Sequence, residues 1–446
     1  MPTSFTLDVD IIEATSAKLI IDGEYVGQDV APPLRFDVTV APGIHKVKVR
    51  SMIGDSETRI EATFTAVGVS STTAAPQAAS LSVPPTTVTP NSTTTVLTTT
   101  TVIAPTPTSA PPTTAAPATT APPASSRPEI VVDTVDEIRA AVAGAKPGDV
   151  IRVVDGEYIF KPRLVLPASG TQDAPITLRG SRNAVLRTKN ASGDYGLHIV
   201  GDYWRVEGLT VAHGSKGIVL DGSVGTVIDG VEVFDIGAEG VHFRSCSSDG
   251  VLRNSFVHDT GRTSAQYGEG VYVGSANSNW SQYQCGDRIE RAPIGDNTER
   301  VLIEDNVFED ITAEGADLKE GTDSGTLRRN VFRRAGISGQ NSADSAVDAK
   351  GNNWVIEDNV VSETDATWDD DGVASPSEFK DGFQAHNVYD GYGTGNVFRR
   401  NQVVGSIPGF GVGLYPGGGN VVTCDNSAPG AAEGLVGDNG HPGTCT

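Results

Sequence analysis

Apolar and polar positions alternate in short runs along most of this chain, and glycine or asparagine breaks the runs before they lengthen. In residues 1–67, Lys18-Leu19-Ile20-Ile21, Phe36-Asp37-Val38-Thr39-Val40 and His45-Lys46-Val47-Lys48-Val49 read as strands. Asp22-Gly23 and Pro42-Gly43 supply the turns. The pattern predicts a small β-sandwich. Across 68–127 the alternation stops and Thr, Pro, Ala and Ser take over, with no charged residue between Glu61 and Arg127. Such a stretch cannot bury enough apolar surface to offset its chain entropy, so it predicts a disordered, proline-stiffened spacer open to O-glycosylation. A third region, 128–446, opens on Val135-Asp136-Glu137-Ile138-Arg139-Ala140-Ala141-Val142-Ala143-Gly144, apolar at helical spacing with a glycine stop.

Beyond that helix one unit recurs: a short strand closing on Gly or Asn. It appears as Arg205-Val206-Glu207-Gly208, Val227-Ile228-Asp229-Gly230, Val251-Leu252-Arg253-Asn254 and Ile303-Glu304-Asp305-Asn306. Leu327-Arg328-Arg329-Asn330, Ile356-Glu357-Asp358-Asn359, Phe398-Arg399-Arg400-Asn401 and Thr423-Cys424-Asp425-Asn426 continue it. The intervals are 22, 24, 52, 24, 29, 42 and 25 residues, so the short ones define a coil and the long ones carry insertions around 261–297 and 362–380. A period of this size, with short strands and no helices, predicts an all-β parallel β-helix solenoid. Leucine-rich repeats share the period but need Leu at fixed positions, which is absent. The helix would cap the open end of the apolar core, and the recurrent Asn amides would hydrogen-bond from coil to coil.

Composition agrees: 51 glycines, 26 prolines and 6% aromatics suit strands and turns. Acidic residues outnumber basic ones 56 to 33, for a net charge of −23, which argues against nucleic acid or an anionic membrane surface as a partner. No apolar run is long enough to span a bilayer. Cys246, Cys285, Cys424 and Cys445 make no Cys-x-x-Cys pair. Proximity favours Cys246–Cys285 and Cys424–Cys445 bridges over four buried thiols. Met1-Pro2-Thr3-Ser4-Phe5 lacks the basic and apolar stretches of a secretion signal. The stalk-like spacer and even cysteine count nonetheless place the protein outside the cell or at its surface; a monomer is expected.

Three stretches resemble known families. "IIDGEYVG … VAPGIHKVKVR" in the first region resembles PEGA-type β domains. "DEIRAAVAGAKPGDVIRVVDGEYIF … GTQDAPITLRG" at 136–180 resembles the start of right-handed β-helix polysaccharide lyases of the chondroitinase B/alginate lyase type. "DGFQAHNVYDGYGTGNVFRRN" at 381–401 is similar to a coil of β-helical pectate lyases. The resemblance implies a right-handed solenoid and a lyase that uses a Lys or Arg base with Ca²⁺ or its substitute. The calcium-binding Asn/Glu motif of those lyases has no counterpart here.

The candidate chemistry lies where Glu314-Gly315-Ala316-Asp317-Leu318-Lys319 meets Ser345-Ala346-Val347-Asp348-Ala349-Lys350. The two Asp-x-Lys motifs are 31 residues apart and would stack on neighbouring rungs. Aligning each coil's second strand yields three columns. Glu239, Glu269, Glu314, Ser345 and Asp381 form the first. His242, Tyr272, Asp317, Asp348 and Gln384 form the second, and Arg244, Gly274, Lys319, Lys350 and His386 the third. On this reading the stacked lysines repel, which favours a neutral amine on one and makes it a general base. Lys319, Lys350, Arg244 and His386 are the catalytic candidates. His242, Tyr272, Glu269 and Asp381 would bind substrate, an acidic polysaccharide or other glycan. Asp317, Asp348 and Glu314 would hold Ca²⁺, and the doublets would stand on an open wall. The function expected is a Ca²⁺-assisted lyase. An inverting glycoside hydrolase using Glu269 or Glu314 with Asp317 is one alternative, a non-catalytic glycan-binding module another. The same Asp-x-Lys pattern would serve equally as a surface salt-bridge lattice. His198, His213 and His258 read as turn or surface residues, Trp204 and Trp354 as packing, and Trp280 and Trp368 as rings that could meet a sugar. Asp369-Asp370-Asp371 is either a Ca²⁺ loop or a solvated turn.

Overall fold

In the computed structural model, the helix near the start of the third region spans Val135–Gly144 as its periodicity predicts. Thr134 caps it, its side chain accepting from the Glu137 N–H at 3.3 Å, while Glu137 accepts from the Asp133 N–H at 3.1 Å. Ile138 and Val142, one turn apart, are buried and join the core, so the helix covers apolar surface where the first coil begins. The structure describes the backbone of seven strands between Thr3 and Ser82, and residues 128–283, 295–336, 338–362, 379–416 and 418–446.

Met1–Ala118 and Thr119–Thr446 are separate units. In the first, Glu24–Asp29, Ser16–Ile21, Gly43–Ile53 and Ser56–Ala66 make one antiparallel sheet. Leu34–Val40, Thr3–Asp10 and Gln77–Ser82 make another. Gln77–Ser82 falls within the expected spacer, so this unit's pairing runs past residue 67. Residues 83–127 lie outside the described residues.

The second unit winds three parallel sheets around one core. Each coil gives a strand to each sheet in turn, as Ile176–Arg179, Ala184–Arg187 and Leu197–Ile199 do. The next coil then pairs Ile176 with Trp204 and Leu178 with Val206. Inward residues are buried throughout: Trp204 and Trp354 are packing residues as expected, and Phe308 stacks on Phe332 at 5.1 Å. The Cys424–Cys445 bridge forms as proximity suggests, with Cα atoms 5.0 Å apart. Cys285, Trp368 and Asp369–Asp371 lie outside the described residues.

The asparagine stack is present, with one correction. Asn306, Asn330, Asn359, Asn401 and Asn426 pass amide hydrogen bonds from coil to coil at 2.9–3.0 Å. Asn254 is not among them, because Leu252 pairs with Ile303 and the residue level with Asn306 is Ser255. Gly208, Gly230, Asn254, Asp305, Arg329, Asp358 and Arg400 share the position just before it, each with φ between 52° and 72°. Gly and Asn both tolerate that left-handed turn. The strand-closing marker therefore mixed a turn position with a ladder position.

The sheets differ in their outer faces. Strands of the first two bury alternate residues, as in Val251–Arg253 and Phe256–His258. The third buries nearly every residue of Val241–Arg244, Ala316–Leu318, Ser345–Ala349 and Asp381–His386. A parallel sheet covered on both sides ordinarily carries apolar residues on both. Here the covered outer side is polar.

Candidate active site

All three expected columns exist in the predicted register. His242 pairs with Tyr272, Tyr272 with Asp317, Asp317 with Asp348, and Asp348 with Gln384. Continuing the same rungs sets Arg244, Gly274, Lys319, Lys350 and His386 in line. The expected open wall is not what forms. Asp317 and Asp348 are 3% and 2% exposed, and the side chains of Lys319 and Lys350 13% and 11%. The column side chains pack against those of neighbouring rungs, and Glu320 holds the loop at Asn277 beside them, features that strand periodicity cannot report.

The two lysines differ in partners rather than depth. The Lys350 ammonium lies 2.8 Å from Asp317, 2.7 Å from Asp348 and 3.8 Å from Glu314. Burial works against its charge, but those three carboxylates hold it charged, well above the usual lysine range. Lys350 is therefore not the neutral amine that stacking was expected to leave on one of the two lysines. Lys319 keeps looser contacts, 3.3 Å to Asp317 and 3.9 Å to Glu320, and lies 5.6 Å from the centre of the Tyr272 ring. Burial, then the Asp317 charge, pushes the Tyr272 phenol up, so it stays protonated.

Behind Tyr272 lies His242, edge-on at 4.6 Å. Its Nε2–H donates to the Gly274 carbonyl at 2.8 Å, leaving Nδ1 a bare acceptor 3.6 Å from Glu239. Burial, then the charges of Lys216 and Arg244, drives its pKa down. Burial, then Glu239, pushes Glu269 well above the carboxylate range, and burial carries Glu314 up to about 8. At the far end, burial opposes the His386 imidazolium, but Asp348 at 2.9 Å outweighs it and raises the pKa. Asp381 accepts hydrogen bonds from Tyr415 and Gln384.

Buried polar atoms are almost always paired. On this face Glu239 Oε2, His242 Nδ1, Arg244 Nη1, Glu269 Oε2, Glu320 Oε2 and Gln384 Oε1 are buried without a hydrogen-bond partner. This concentration of unspent donors and acceptors makes the face the candidate site.

Of the expected calcium ligands Asp317, Asp348 and Glu314, Asp348 does not fit, because both its oxygens are engaged, one by Lys350 at 2.7 Å and the other by His386 at 2.9 Å. A neighbouring set does fit. Glu269, Glu314 and Asp317 bring one oxygen each within 4.8 Å of one another, and Glu269 has a free buried oxygen. The inverting-hydrolase pairing is disfavoured by the same closeness, since that chemistry needs carboxyls about 6.5–9.5 Å apart.

Sequence reasoning missed several members. Glu320, two residues past its strand, is buried and accepts from the Asn277 N–H and amide, pinning the loop beside Lys319. His198 is no surface residue: it is largely buried and donates to Asp221 at 2.8 Å. Trp280 is 6% exposed and packs against Tyr389 and Tyr392, so its ring is not free for a sugar. The signal for His198 was its place on the third sheet, one rung from Val219 and two from His242.

A family model described as a right-handed beta helix region matches residues 195–367. The chain is similar to an alginate lyase from Paenibacillus sp. str. FPU-7, with 33% identity and a TM-score of 0.61, covering 71% of this chain and 99% of that one. A pectate lyase aligns with 16% identity and a TM-score of 0.45, over 68% of this chain and 72% of that one. No curated protein matches the chain.

Proposed function

We propose, for a chain that belongs to the right-handed parallel β-helix family, the cleavage of a uronate-containing polysaccharide by β-elimination with Lys319 as the base. The contrast between the two lysines carries this reading. Lys350 is locked as a cation by carboxylates at 2.7 and 2.8 Å, whereas Lys319 has looser partners and the protonated Tyr272 phenol beside it. Similarity to an alginate lyase over nearly that protein's whole length supports the substrate class.

The Lys319 amine takes the proton from the carbon bearing the uronate carboxylate. The electron pair forms a carbon–carbon double bond as the bond to the glycosidic oxygen breaks. Tyr272, whose protonated phenol lies beside Lys319, supplies a proton to the leaving oxygen. Lys350 and the His386 imidazolium add fixed positive charge along the column, which favours a substrate carboxylate in this otherwise acidic protein. Glu269, Glu314 and Asp317 would hold a calcium ion, which supplies further positive charge toward a uronate. Action on a polysaccharide would place the protein outside the cell or at its surface, as its similarity to an alginate lyase supports. Among the described residues no helix is long and apolar enough to cross a membrane.

Incubation with alginate, pectate and chondroitin sulfate, with and without Ca²⁺, tests the reading through ultraviolet absorbance of the unsaturated uronate. The absorbance should rise on one of them and vanish in Lys319→Ala. New reducing ends without absorbance would indicate a hydrolase, and binding without product a glycan-binding module. Either result overturns elimination.

A further inference from the structure

Upstream of Lys319 the third column drops to bare backbone at Gly274 and rises again at Arg244, two rungs or about 9.6 Å away. The gap is built into the chain. Gly274 has φ +81°, and a Cβ there would lie 2.5 Å from Thr322 Cγ2 and 3.4 Å from Lys319 Cβ.

On the far side stands a braced guanidinium. Arg244 is 3% exposed, and Asp221 grips it through two hydrogen bonds of 2.6 and 3.1 Å. It lies 4.3 Å from the Tyr283 ring and 5.7 Å from the Tyr195 ring, whose contact with Arg163 is 4.6 Å. Arg163 donates to His198 Nδ1 at 3.1 Å, and His198 in turn donates its Nε2–H to Asp221 at 2.8 Å. The chain of contacts fixes the guanidinium plane before any ligand arrives, yet Arg244 Nη1 keeps a buried donor with no acceptor. A preorganised guanidinium with an unspent N–H, between two aromatic rings, suits a carboxylate attached to a sugar ring.

We infer that Arg244, flanked by Tyr195 and Tyr283 and braced through Arg163, is a carboxylate subsite two rungs from Lys319, taking a second uronate of the same acidic chain. The inference rests on the polyuronate reading above and adds to it a dependence of affinity on chain length. A 1,4-linked uronan with alternate rings turned over presents same-side carboxylates on every second residue. One can then sit at Lys319 and the next at Arg244, with the intervening ring over Gly274.

Removing Arg244 itself would strand Asp221 and endanger folding, so Arg163→Gln and Tyr283→Ala are the informative variants. Alginate oligosaccharides of graded length serve as the probe. Both variants should raise KM about tenfold for oligomers long enough to reach from Lys319 to Arg244, leaving kcat and the shortest cleavable oligomer unchanged. Equal loss at every length, or none, would overturn the subsite. Calorimetric titration of the same oligomers reads the subsite without turnover. If no oligomer is cleaved but long ones bind about tenfold more weakly to Arg163→Gln, the elimination reading fails and the subsite stands. If affinity for long oligomers is the same in wild type and variants, the subsite fails.

Discussion

Replacing Lys350 with alanine separates a structural cation from a catalytic amine. The ammonium stands 2.8 Å from Asp317 and 2.7 Å from Asp348, both buried, and its loss leaves those carboxylates short of positive charge. Breaking a buried pair by removing one partner costs about 3–5 kcal/mol. The unit Thr119–Thr446 unfolds with an entropy of about 2.1 cal/mol/K per residue, about 0.7 kcal/mol/K in all, so its melting temperature should fall by about 4–7 °C. The deficit should also depend on pH. In the wild type, burial would raise Asp348, but Lys350 and His386 hold it well below the usual carboxylate range. A depressed folded pKa contributes stability present above the unfolded value of about 3.9 and lost as pH falls through the folded one. Without Lys350 that contribution shrinks, so the gap between variant and wild type should be widest near neutrality and narrow below about pH 4. Scanning calorimetry across that range measures both. Lys319→Ala, whose contacts are longer, should lose turnover and cost only about 1–2 kcal/mol. If the two variants melt alike, or the Lys350→Ala deficit ignores pH, Lys350 is not the charge that holds this face together.

Three further outcomes follow from the same structure. Chelation should lower activity if Glu269, Glu314 and Asp317 hold calcium, and calcium added at neutral pH should release protons, since burial leaves Glu314 with a pKa of about 8. Glu314→Gln should abolish both responses, and activity indifferent to chelator would exclude the ion. His386 has a raised pKa, so its positive charge is present at low pH and lost as pH rises through the folded value; the basic limb of kcat/KM should flatten in His386→Gln, and an unchanged profile would remove the imidazolium from substrate binding. Asn330→Ala removes a fully buried amide that gives and receives ladder hydrogen bonds at 2.9–3.0 Å, and should cost about 2–4 kcal/mol in denaturant unfolding while kcat stays unchanged.

The solenoid was legible because its constraints are local and repeated. Alternation sets which residues face the core, the coil period sets which strands are neighbours, and together they put Asp317 beside Asp348 without reference to coordinates. The one slip in register, at Asn254, came from two turn positions that accept the same residue types for different reasons. The asymmetry between Lys319 and Lys350 was not legible, since both occupy the same position of the same motif. It arises because Glu314 and both aspartates converge on the Lys350 ammonium, whereas of the three only Asp317 reaches Lys319, at 3.3 Å.

Period and pattern alone thus determined the β-helix, the helix near its start, the columns and their order. Whether those columns stand in water or are buried, which amine is locked, which carboxylates lie within reach of one ion, and that His198 and Glu320 belong to the face were decided by tertiary structure. Strand periodicity reports the direction of a side chain relative to the core. Burial, charge and proton affinity depend instead on what the rest of the chain lays over it.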